Sequence, residues 1–473
     1  MKVLLVNPPR ENELTGNNPA LIDEARGFNP PLGLLYLAGY LEEKTPHRVE
    51  VCDAQVEELS YPRLKERIAD SAPDLVGLTA MTFTLLDVVK TARLAGEALP
   101  EIPVAVGGVH AFLFPEETVK LPDIDYVLSG EGEESFALLL DRLEEKGDLS
   151  TVPGLTYLDR GEVRSSPSPP LCADLDSLPF PARRLTPYHK YSSVMARRQP
   201  ITTMFTSRGC PFRCSFCARP HLGKQFRYRS AENVVDEMEE CGELGIREFL
   251  IYDDTFTVNR DRVLEVSEEI LRRKLEIGWD VRARVDRVDR EMLELMKRAG
   301  CERIHYGVEA GTEKILKVLN KGITLEKVRE TVALTRKTGI ETLAYFMIGS
   351  PTETREDIHR TIRFALDLKP DFVHATILCP FPGTEIYRRG LEEGVFPRDH
   401  WREFAADPRP GFSPPYWNEI LSDAELQELL QLAYRKFYTR PSYILKKTLQ
   451  VRSGRELKTK LRAGLKIFRM KAR

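Results

Sequence analysis

Three cysteines lie close together in one short segment, where they could bind a metal centre. Cys210, Cys214 and Cys217 follow an apolar run in the segment Thr206-Ser-Arg-Gly-Cys-Pro-Phe-Arg-Cys-Ser-Phe-Cys217, in a chain with eight cysteines. Thiolates spaced Cys-x3-Cys-x2-Cys can hold one face of a cubane iron–sulfur cluster and leave the fourth iron open for a substrate or cofactor. A disulfide and a structural zinc loop are the alternatives. Structural zinc sites use four ligands, usually in paired Cys-x2-Cys motifs, and no second such motif follows.

The composition is that of a globular protein with more than one domain. The 473 residues are 42% hydrophobic and 30% charged, with a net charge of -3. One domain usually has about 100 to 200 residues. No apolar run approaches the ~20 residues that span a bilayer, and the amino terminus predicts a buried strand and not a secretory signal. The other cysteines occur singly, as reduced thiols do. We therefore expect a cytoplasmic protein with no transmembrane helix and no nucleic-acid partner.

Apolar strands alternate with amphipathic helices in residues 1–147. This alternation predicts an α/β domain with a Rossmann-like open parallel sheet, helices on both faces and a ligand crevice at the carboxyl ends of the strands. No G-x-G-x-x-G follows the first strand and there is no P-loop lysine, so dinucleotide and nucleoside triphosphate binding are disfavoured. The predicted strands lie at 3–6, 48–52, 75–79, 104–106 and 126–128.

The rest of the chain divides into three parts. Residues 148–198 are rich in proline and predict a linker. Residues 199–400 resume the strand–helix alternation with about six units, which predicts a partial parallel barrel whose site lies at the carboxyl ends of its strands. Residues 401–473 are predicted to be mainly helical, with a helix at 422–438 and a basic tail. The predicted barrel strands lie at 201–206, 248–252, 279–284, 303–308, 342–348 and 372–378.

The cysteine segment resembles the signature of the radical S-adenosylmethionine (SAM) superfamily. Phe216 matches the aromatic residue that this family places beside the SAM adenine. The resemblance implies a partial barrel of six units, a 4Fe–4S cluster on Cys210, Cys214 and Cys217, and SAM bound through its amino and carboxylate groups to the open iron. It also implies reductive cleavage of SAM to methionine and a 5′-deoxyadenosyl radical, with an electron donor such as flavodoxin or ferredoxin.

Polar residues that follow successive barrel strands are similar to the family's SAM contacts. Asp253 and Asp254 match the position that binds the SAM amino group, although a helix-capping aspartate is the alternative. Arg284 is a cation that could pair with the SAM carboxylate or form an exterior salt bridge. Glu309 lies in a turn that resembles the family's glutamate-containing turn. Gly349 matches a strand-end glycine, to which we assign backbone geometry alone.

Two turns of the first domain resemble the cobalamin-binding domain of the cobalamin-dependent radical SAM class. Its members carry Gly-Gly-x-His and Gly-Glu-Gly-Glu after successive strands, as in Val104-Ala-Val-Gly-Gly-Val-His110 and Tyr126-Val-Leu-Ser-Gly-Glu-Gly-Glu133. Paired glycines let the backbone approach a flat corrin, and ordinary α/β turns are the alternative. The Asp-x-His-x-x-Gly motif is absent, so we expect cobalamin without histidine ligation. The residues predicted to line the site are Thr79, Met81, Thr82, Gly107, Gly108, His110, Ser129, Gly130, Glu131 and Gly132.

These resemblances imply an enzyme that uses a 4Fe–4S cluster, SAM and cobalamin. The leading hypothesis is a methyltransferase that acts on an unactivated carbon, or on a phosphinate phosphorus, of a small molecule or lipid. One alternative is cyclisation, ring contraction or another rearrangement with the same cofactors and without methyl transfer. The other is a non-catalytic iron–sulfur or cobalamin carrier or sensor. The sequence identifies neither the substrate nor any catalytic acid or base.

The end of the chain is strongly basic. From residue 431 onward it carries 14 lysines and arginines against one glutamate. Cationic amphipathic segments favour anionic membrane surfaces, so peripheral attachment at the inner face of the membrane is one hypothesis. A solvated helix whose apolar stripe packs on the barrel is the alternative.

Overall fold

The amino-terminal part of the chain forms one seven-stranded sheet. The computed structural model describes residues 1–14, 27–219 and 222–449. The strands of this sheet are β1 (Lys2–Asn7), β2 (Arg48–Asp53), β3 (Leu75–Thr79), β4 (Val104–Gly107), β5 (Tyr126–Leu128), β6 (Leu155–Asp159) and β7 (Glu162–Ser165). Their order is β2-β1-β3-β4-β5-β6-β7, and β1 to β5 pair in parallel.

Helices cover both faces of this sheet. Alternate residues of β1 belong to two separate buried clusters, Leu4 and Val6 on one face and Val3 and Leu5 on the other. A strand that is buried on both faces is typical of a parallel sheet between two helical layers. The predicted Rossmann-like architecture is therefore confirmed. The helices of this part are Leu32–Lys44, Tyr61–Ser71, Leu85–Ala98, Val109–Leu113, Pro115–Val119 and Glu133–Glu145.

The segment predicted as a linker, 148–198, differs from that prediction because it supplies β6 and β7. These strands extend the first sheet in antiparallel pairing. A two-residue turn of Arg160 and Gly161, with φ values of 53° and 86°, joins them in the left-handed geometry that suits a hairpin. The strands are short and largely exposed, so their hydrophobic periodicity is weak and the neighbouring prolines dominated the sequence pattern.

The second half of the chain forms a six-stranded parallel sheet, the predicted partial barrel. Its order is β15-β14-β13-β12-β11-β8, so it ends with β15 on one side and β8 on the other. A two-stranded ribbon of β9 and β10 lies directly after β8. The strands are β8 (Ile201–Met204), β9 (Ser207–Arg208), β10 (Arg227–Tyr228), β11 (Glu248–Ile251), β12 (Gly278–Ala283), β13 (Cys301–Glu309), β14 (Glu341–Ile348) and β15 (Phe372–Ile377).

The helices that surround the barrel begin at residues whose side chains satisfy free backbone N–H groups. Each of six capping residues accepts a hydrogen bond from the backbone three positions later, which is worth about 1 kcal/mol per cap. These caps are Ser230, Asn259, Asp289, Thr312, Thr324 and Thr354. The helices are Ala231–Glu243, Arg260–Arg272, Arg290–Arg298, Glu313–Val318, Leu325–Lys337 and Arg355–Leu368.

A carboxy-terminal helix covers the edge of the barrel at β15. The predicted helix at 422–438 is found at Asp423–Tyr438. The hydroxyl of Tyr434 donates to the carbonyl of Ala375 at 2.9 Å and accepts from its N–H at 3.1 Å, and Tyr438 does the same at Val373. The helix thus satisfies backbone groups that an edge strand leaves unpaired. The other helices of this region are Glu385–Glu392, His400–Ala406 and Pro441–Leu449.

The basic tail from residue 450 lies outside the described residues, so the membrane hypothesis for it stays a prediction. Among the described residues, no helix combines the length and the apolar character that crossing a bilayer requires.

The segment that precedes β8 closes the amino-terminal end of the barrel. Arg198 forms ion pairs with Glu248 at 3.0 Å and with Glu302 at 2.7 Å, while Arg197 pairs with Glu302 at 3.2 Å and with Glu341 at 3.3 Å. These carboxylates lie at or near the starts of β11, β13 and β14. The segment therefore lies across the amino-terminal ends of these strands, at the end of the barrel opposite the cysteine loop.

Candidate active site

The segment before the three cysteines is anchored by a buried carboxylate. Asp253, which is 0% exposed, accepts hydrogen bonds from the backbone N–H groups of Thr206 and Ser207 at 2.7 and 3.0 Å. It also accepts from both of their hydroxyls at 2.6 Å. The buried guanidinium of Arg262 lies 3.8 Å from this carboxylate and donates to the carbonyl of Thr206 at 2.8 Å. Every hydrogen bond of Asp253 goes to the stem of the cysteine loop, which differs from the SAM contact expected for it.

Contacts from the barrel also hold the cysteine loop itself. The N–H of Ser215 donates to the carbonyl of Leu319 at 3.0 Å, and the Asn320 amide donates to the carbonyl of Arg213 at 2.7 Å. Gly209 adopts a φ of 84°, and a Cβ at this position would lie 2.2 Å from the carbonyl oxygen of Gln225. The loop therefore requires glycine immediately before its first cysteine.

The three thiols suit a cluster better than either alternative. All eight cysteines of the chain lie in the described residues and are free thiols, so no disulfide competes for Cys210, Cys214 or Cys217. Among the described residues, no three His, Cys, Asp or Glu side chains converge on the position of a single metal ion. A cubane needs no such convergence, because each cysteine ligates a different iron. Burial raises the pKa of the Cys217 thiol, and the neighbouring charge of Arg219 partly offsets the shift.

A buried ion pair lies beside the loop, at the end of β13. Glu309 pairs with Lys321 at 2.6 Å, and the Lys321 ammonium lies 5.7 Å from the centre of the Phe216 ring. Glu309 has a φ of 68°, in the left-handed region that residues other than glycine rarely adopt. A Cβ on Gly307 would lie 2.4 Å from the Glu309 carboxylate, so this glycine provides the space for it. Glu309 and Phe216, predicted separately, are thus brought together.

Lys321 is a residue that the sequence analysis missed. It lies in a turn between two helices, and no local pattern links it to a carboxylate 12 residues away. Asn320 and Gly322, with φ values of 48° and 66°, mark a turn but predict no charge pair.

Arg284 and Asp254 lie beside the same loop, whereas Gly349 lies at the end of β14. Arg284 lies 3.8 Å from the Sγ of Cys214 and pairs with Asp286 at 3.0 Å, so it faces the loop and also forms a salt bridge. Asp254 pairs with Arg219 at 3.2 Å; burial raises the pKa of this carboxyl, and Arg219 partly offsets the shift. Gly349 has a φ of 82° where the chain leaves β14. Its expected role in backbone geometry is consistent with that value.

The inward side of the barrel carries polar side chains at alternating strand positions. Tyr345 lies with its hydroxyl 3.0 Å from Nδ1 of His305, whose Nε2 lies 3.3 Å from the Asp280 carboxylate. Burial lowers the pKa of His374 to about 4 and also lowers that of His305. Both imidazoles are therefore neutral near pH 7. The guanidinium of Arg282, next to this group, stacks on the Tyr252 ring at 3.8 Å.

The carboxyl ends of β3 and β4 form an edge with little side-chain bulk, around the predicted Thr79, Met81, Thr82, Gly107 and Gly108. Gly108 has a φ of 104°, and a Cβ there would lie 2.7 Å from the carbonyl oxygen of Ala80. A cavity of about 220 Å³ adjoins this edge; its lining includes Thr79, Met81 and residues that follow β1 and β2. A flat macrocycle needs this kind of bare edge, so the residues present fit cobalamin.

His110 is more deeply buried than the cleft-lining position expected for it. It is 0% exposed, with Nδ1 3.1 Å from the Thr82 hydroxyl. Within the described residues its Nε2 has no hydrogen-bond partner. Burial lowers the pKa of His110 to about 4, so the ring is neutral. The His110 ring therefore packs behind the turn that follows β3 and supports it through Thr82.

The turn after β5 contributes backbone to this edge but directs its carboxylates elsewhere. Gly130 has a φ of 102°, and the Ser129 hydroxyl donates to the carbonyl of Ala111 at 3.0 Å. Glu131, predicted to line the cobalamin site with Gly132, instead bonds the guanidiniums of Arg208 and Arg227. The glycine pattern predicted the turn, whereas the direction of the Glu131 carboxylate depends on arginines more than 70 residues away.

Comparison with known proteins assigns both halves of the chain. The B12 binding domain family matches residues 19–140 and the Radical SAM superfamily matches residues 204–365. "Uncharacterized methyltransferase PH0819" of Pyrococcus horikoshii is 34% identical over 99% of both chains. The anaerobic magnesium-protoporphyrin IX monomethyl ester cyclase of Rubrivivax gelatinosus is 29% identical over 94% of this chain and 78% of its own.

A solved structure shares the whole fold. The cobalamin-dependent SAM radical enzyme OxsB, with aqua-cobalamin and SAM bound, superposes with a TM-score of 0.73 at 20% identity, covering 99% of this chain and 72% of that one. The expected cofactors, a 4Fe–4S cluster, SAM and cobalamin, are confirmed by the two family matches. The chain therefore belongs to the cobalamin-dependent radical SAM family of enzymes.

Proposed function

We propose that this enzyme transfers a methyl group to an unactivated carbon, or to a phosphorus, of a small-molecule or lipid substrate. The observation that carries the proposal is the contact between its two cofactor regions. Glu131, in the turn that follows the bare edge, pairs at 3.0 Å with Arg208, two residues before the first cluster cysteine. Methyl transfer between cobalamin and a substrate radical requires both cofactors to face one substrate. The relative named as a methyltransferase, which matches the full length, supports the same conclusion.

The residues around the cysteine loop divide into cluster ligands, SAM contacts and positioning residues. Cys210, Cys214 and Cys217 hold the cluster, which when present supplies the electron that cleaves SAM. The SAM contacts are Phe216, within the loop, and four charged residues beside it, Asp254, Arg284, Glu309 and Lys321. These four carry the charges that a zwitterion requires. Asp253 positions the loop, because all of its hydrogen bonds are used there, and Gly349 shapes the backbone.

Cobalamin is proposed to lie on the edge formed by β3, β4 and β5, in the domain of residues 1–147 as extended by the β6 and β7 hairpin. Thr79, Met81, Thr82, Gly107, Gly108, Ser129, Gly130 and Gly132 contribute backbone and small side chains. His110 lies beneath them. Because the sequence lacks the Asp-x-His-x-x-Gly motif, these residues would hold cobalamin without a histidine ligand.

The substrate is proposed to occupy the barrel interior between the two cofactors. Arg197 and Arg198 close the opposite end of the barrel, so the substrate enters from the cofactor side. Tyr345 and Arg282 offer polar contacts there, while the neutral His305 orients the Tyr345 hydroxyl. An external electron donor such as flavodoxin or ferredoxin completes the cycle. Attachment of the basic tail to a membrane is an additional proposal, which deletion of residues 450–473 and vesicle sedimentation would test.

Anaerobic reconstitution tests the proposed function. Wild-type protein supplied with iron, sulfide and hydroxocobalamin is expected to acquire both chromophores and to release 5′-deoxyadenosine from SAM under reduction. Cys214→Ala is expected to lose the cluster and SAM cleavage but to keep cobalamin, whereas Cys301→Ala, which removes a thiol at the opposite end of the barrel, keeps all three. With substrate, a product heavier by one methylene unit supports methyl transfer. If the wild-type protein binds both cofactors but never cleaves SAM, the protein is a non-catalytic carrier and the proposed function is wrong.

Cyclisation or rearrangement without methyl transfer is the second candidate. The observation that favours it is the 29% identity to a cyclase across 94% of this chain. The two functions share all cofactor residues, so the cofactor geometry does not separate them. Product mass does, because a cyclised or rearranged product gains no methylene unit.

A further inference from the structure

A buried group of four charged side chains joins the two cofactor regions. Glu131 accepts two hydrogen bonds from Arg227, at 2.9 and 3.0 Å, and one from Arg208 at 3.0 Å. Glu133 accepts from the second guanidinium nitrogen of Arg208 at 2.6 Å. The backbone N–H of Cys172, in the connecting segment, donates to Glu131 at 2.6 Å. Two cations and two anions thus form one connected group, which we call the Glu131–Arg208 network.

The network is nearly sealed from water. The side chains of Glu131, Arg208 and Arg227 are 6%, 9% and 3% exposed, and that of Glu133 is 10% exposed. Burial alone would raise the pKa of Glu131, but its bonds to Arg227 and Arg208 hold that pKa below its ordinary value. A buried ionic group is a poor source of stability, because apolar side chains of similar volume stabilise as well or better. Its charge-assisted, paired hydrogen bonds instead fix the orientation and the separation of the side chains that they join.

The network connects two turns, and few residues separate it from either cofactor region. On one side, Glu131 lies between Gly130 and Gly132 in the turn that lines the bare edge. On the other, Arg208 and Arg227 are partners in the ribbon of β9 and β10, so one carboxylate holds both strands. Only Gly209, which is packed against backbone, separates Arg208 from Cys210. A displacement of the carboxylates is therefore transmitted to the first cluster ligand.

We propose that Glu131 and Glu133 are positioning residues that set the separation and orientation of cobalamin relative to the iron–sulfur cluster. They touch neither cofactor; they act through Arg208, Arg227 and the two turns. The inference rests on the proposed function, since it requires both cofactors in the regions assigned to them. It replaces the direct cobalamin contact that the sequence predicted for Glu131.

The test measures the geometry between the cofactors and not activity. Full-length protein is loaded with the cluster and hydroxocobalamin and reduced, so that cob(II)alamin and the reduced cluster are both paramagnetic. Their magnetic interaction, read by electron paramagnetic resonance, reports their separation. The variants are Glu131→Gln and Glu133→Gln, which keep the side-chain shape and remove the charge. Glu269→Gln is the matched control, because Glu269 forms a similarly buried pair with Arg273 at 2.6 Å, at the end of a barrel helix and away from both cofactor turns.

Glu131→Gln is expected to weaken or broaden the interaction while iron and cobalamin contents stay at wild-type levels. Glu269→Gln should leave it unchanged. If Glu131→Gln fails to fold, Glu133→Gln, which leaves the partners of Glu131 in place, is expected to show the same effect in milder form. An unchanged interaction in fully loaded Glu131→Gln would overturn the proposal, and so would a loss of cobalamin alone in that variant, because it would indicate that Glu131 contacts cobalamin directly. A wild-type protein that takes up no cobalamin refutes the proposed function itself.

Discussion

Replacing Asp253 with alanine separates a positioning role from a SAM-binding role. The substitution removes an acceptor of four hydrogen bonds and leaves the backbone N–H groups of Thr206 and Ser207 buried without a partner. Each such loss costs about 1 to 3 kcal/mol. It also leaves the Arg262 guanidinium, 3.8 Å away and fully buried, without its carboxylate. Removing one partner of a buried charge pair costs about 3 to 5 kcal/mol.

These losses overlap because they share one carboxylate, so we expect Asp253→Ala to lower the free energy of unfolding by about 3 to 5 kcal/mol in total. Asp253→Asn keeps one oxygen that accepts from both N–H groups, but it replaces the oxygen that accepts from the two hydroxyls with an NH2 group and removes the charge beside Arg262. Its expected cost is smaller than that of Asp253→Ala, about 2 to 3 kcal/mol. Urea unfolding of the apoprotein, followed by circular dichroism, measures both values.

The neighbouring Asp254→Asn is the matched control for this experiment. Asp254 is partly exposed and pairs with Arg219 at the surface of the cysteine loop, so its loss should change stability little and should weaken SAM binding. Equilibrium dialysis of reconstituted protein against SAM measures the change in SAM binding, and iron analysis shows whether the cluster is still present. The reasoning fails if Asp253→Ala unfolds at the wild-type midpoint. It also fails if that variant keeps its stability and iron but no longer binds SAM.

Three further perturbations follow from the structure. Burial raises the pKa of Glu353 from 4.5 to about 7, so between these pH values the folded state holds a proton that the unfolded state releases. The free energy of unfolding should therefore fall as the pH rises through this range. In urea titrations from pH 4.5 to 8, Glu353→Gln should abolish this pH dependence. Tyr434→Phe and Tyr438→Phe should each cost about 1 to 3 kcal/mol and speed amide exchange in β15, whereas unchanged exchange would contradict the edge-capping role. Gly108→Ala, which places a Cβ 2.7 Å from a backbone oxygen, should weaken hydroxocobalamin binding in absorbance titrations, while Gly161→Ala, with a similar φ and open space, should not.

The features that the sequence predicted correctly are local ones. The cluster ligands fall within eight residues, so their spacing alone indicated the open cluster. The apolar periodicity predicted both parallel sheets and the helix over 422–438, since burial on two faces and capping by Ser422 leave direct marks in a short window. The hairpin of β6 and β7 escaped detection because its strands are largely exposed and lack a strong apolar alternation.

Roles that depend on distant partners were decided only by the tertiary structure. The pattern around Glu131 predicted a turn correctly, but the arginines that bind its carboxylate lie 77 and 96 residues further along the chain. Asp253 was expected at SAM and instead holds a stem 46 to 47 residues earlier, while Lys321 gave no signal at all. The sequence by itself determined which elements form and which thiols hold the cluster, because those follow from neighbouring residues. Folding decided which charges meet, because an ion pair depends on where two distant backbones bring their side chains together, and no local spacing records that.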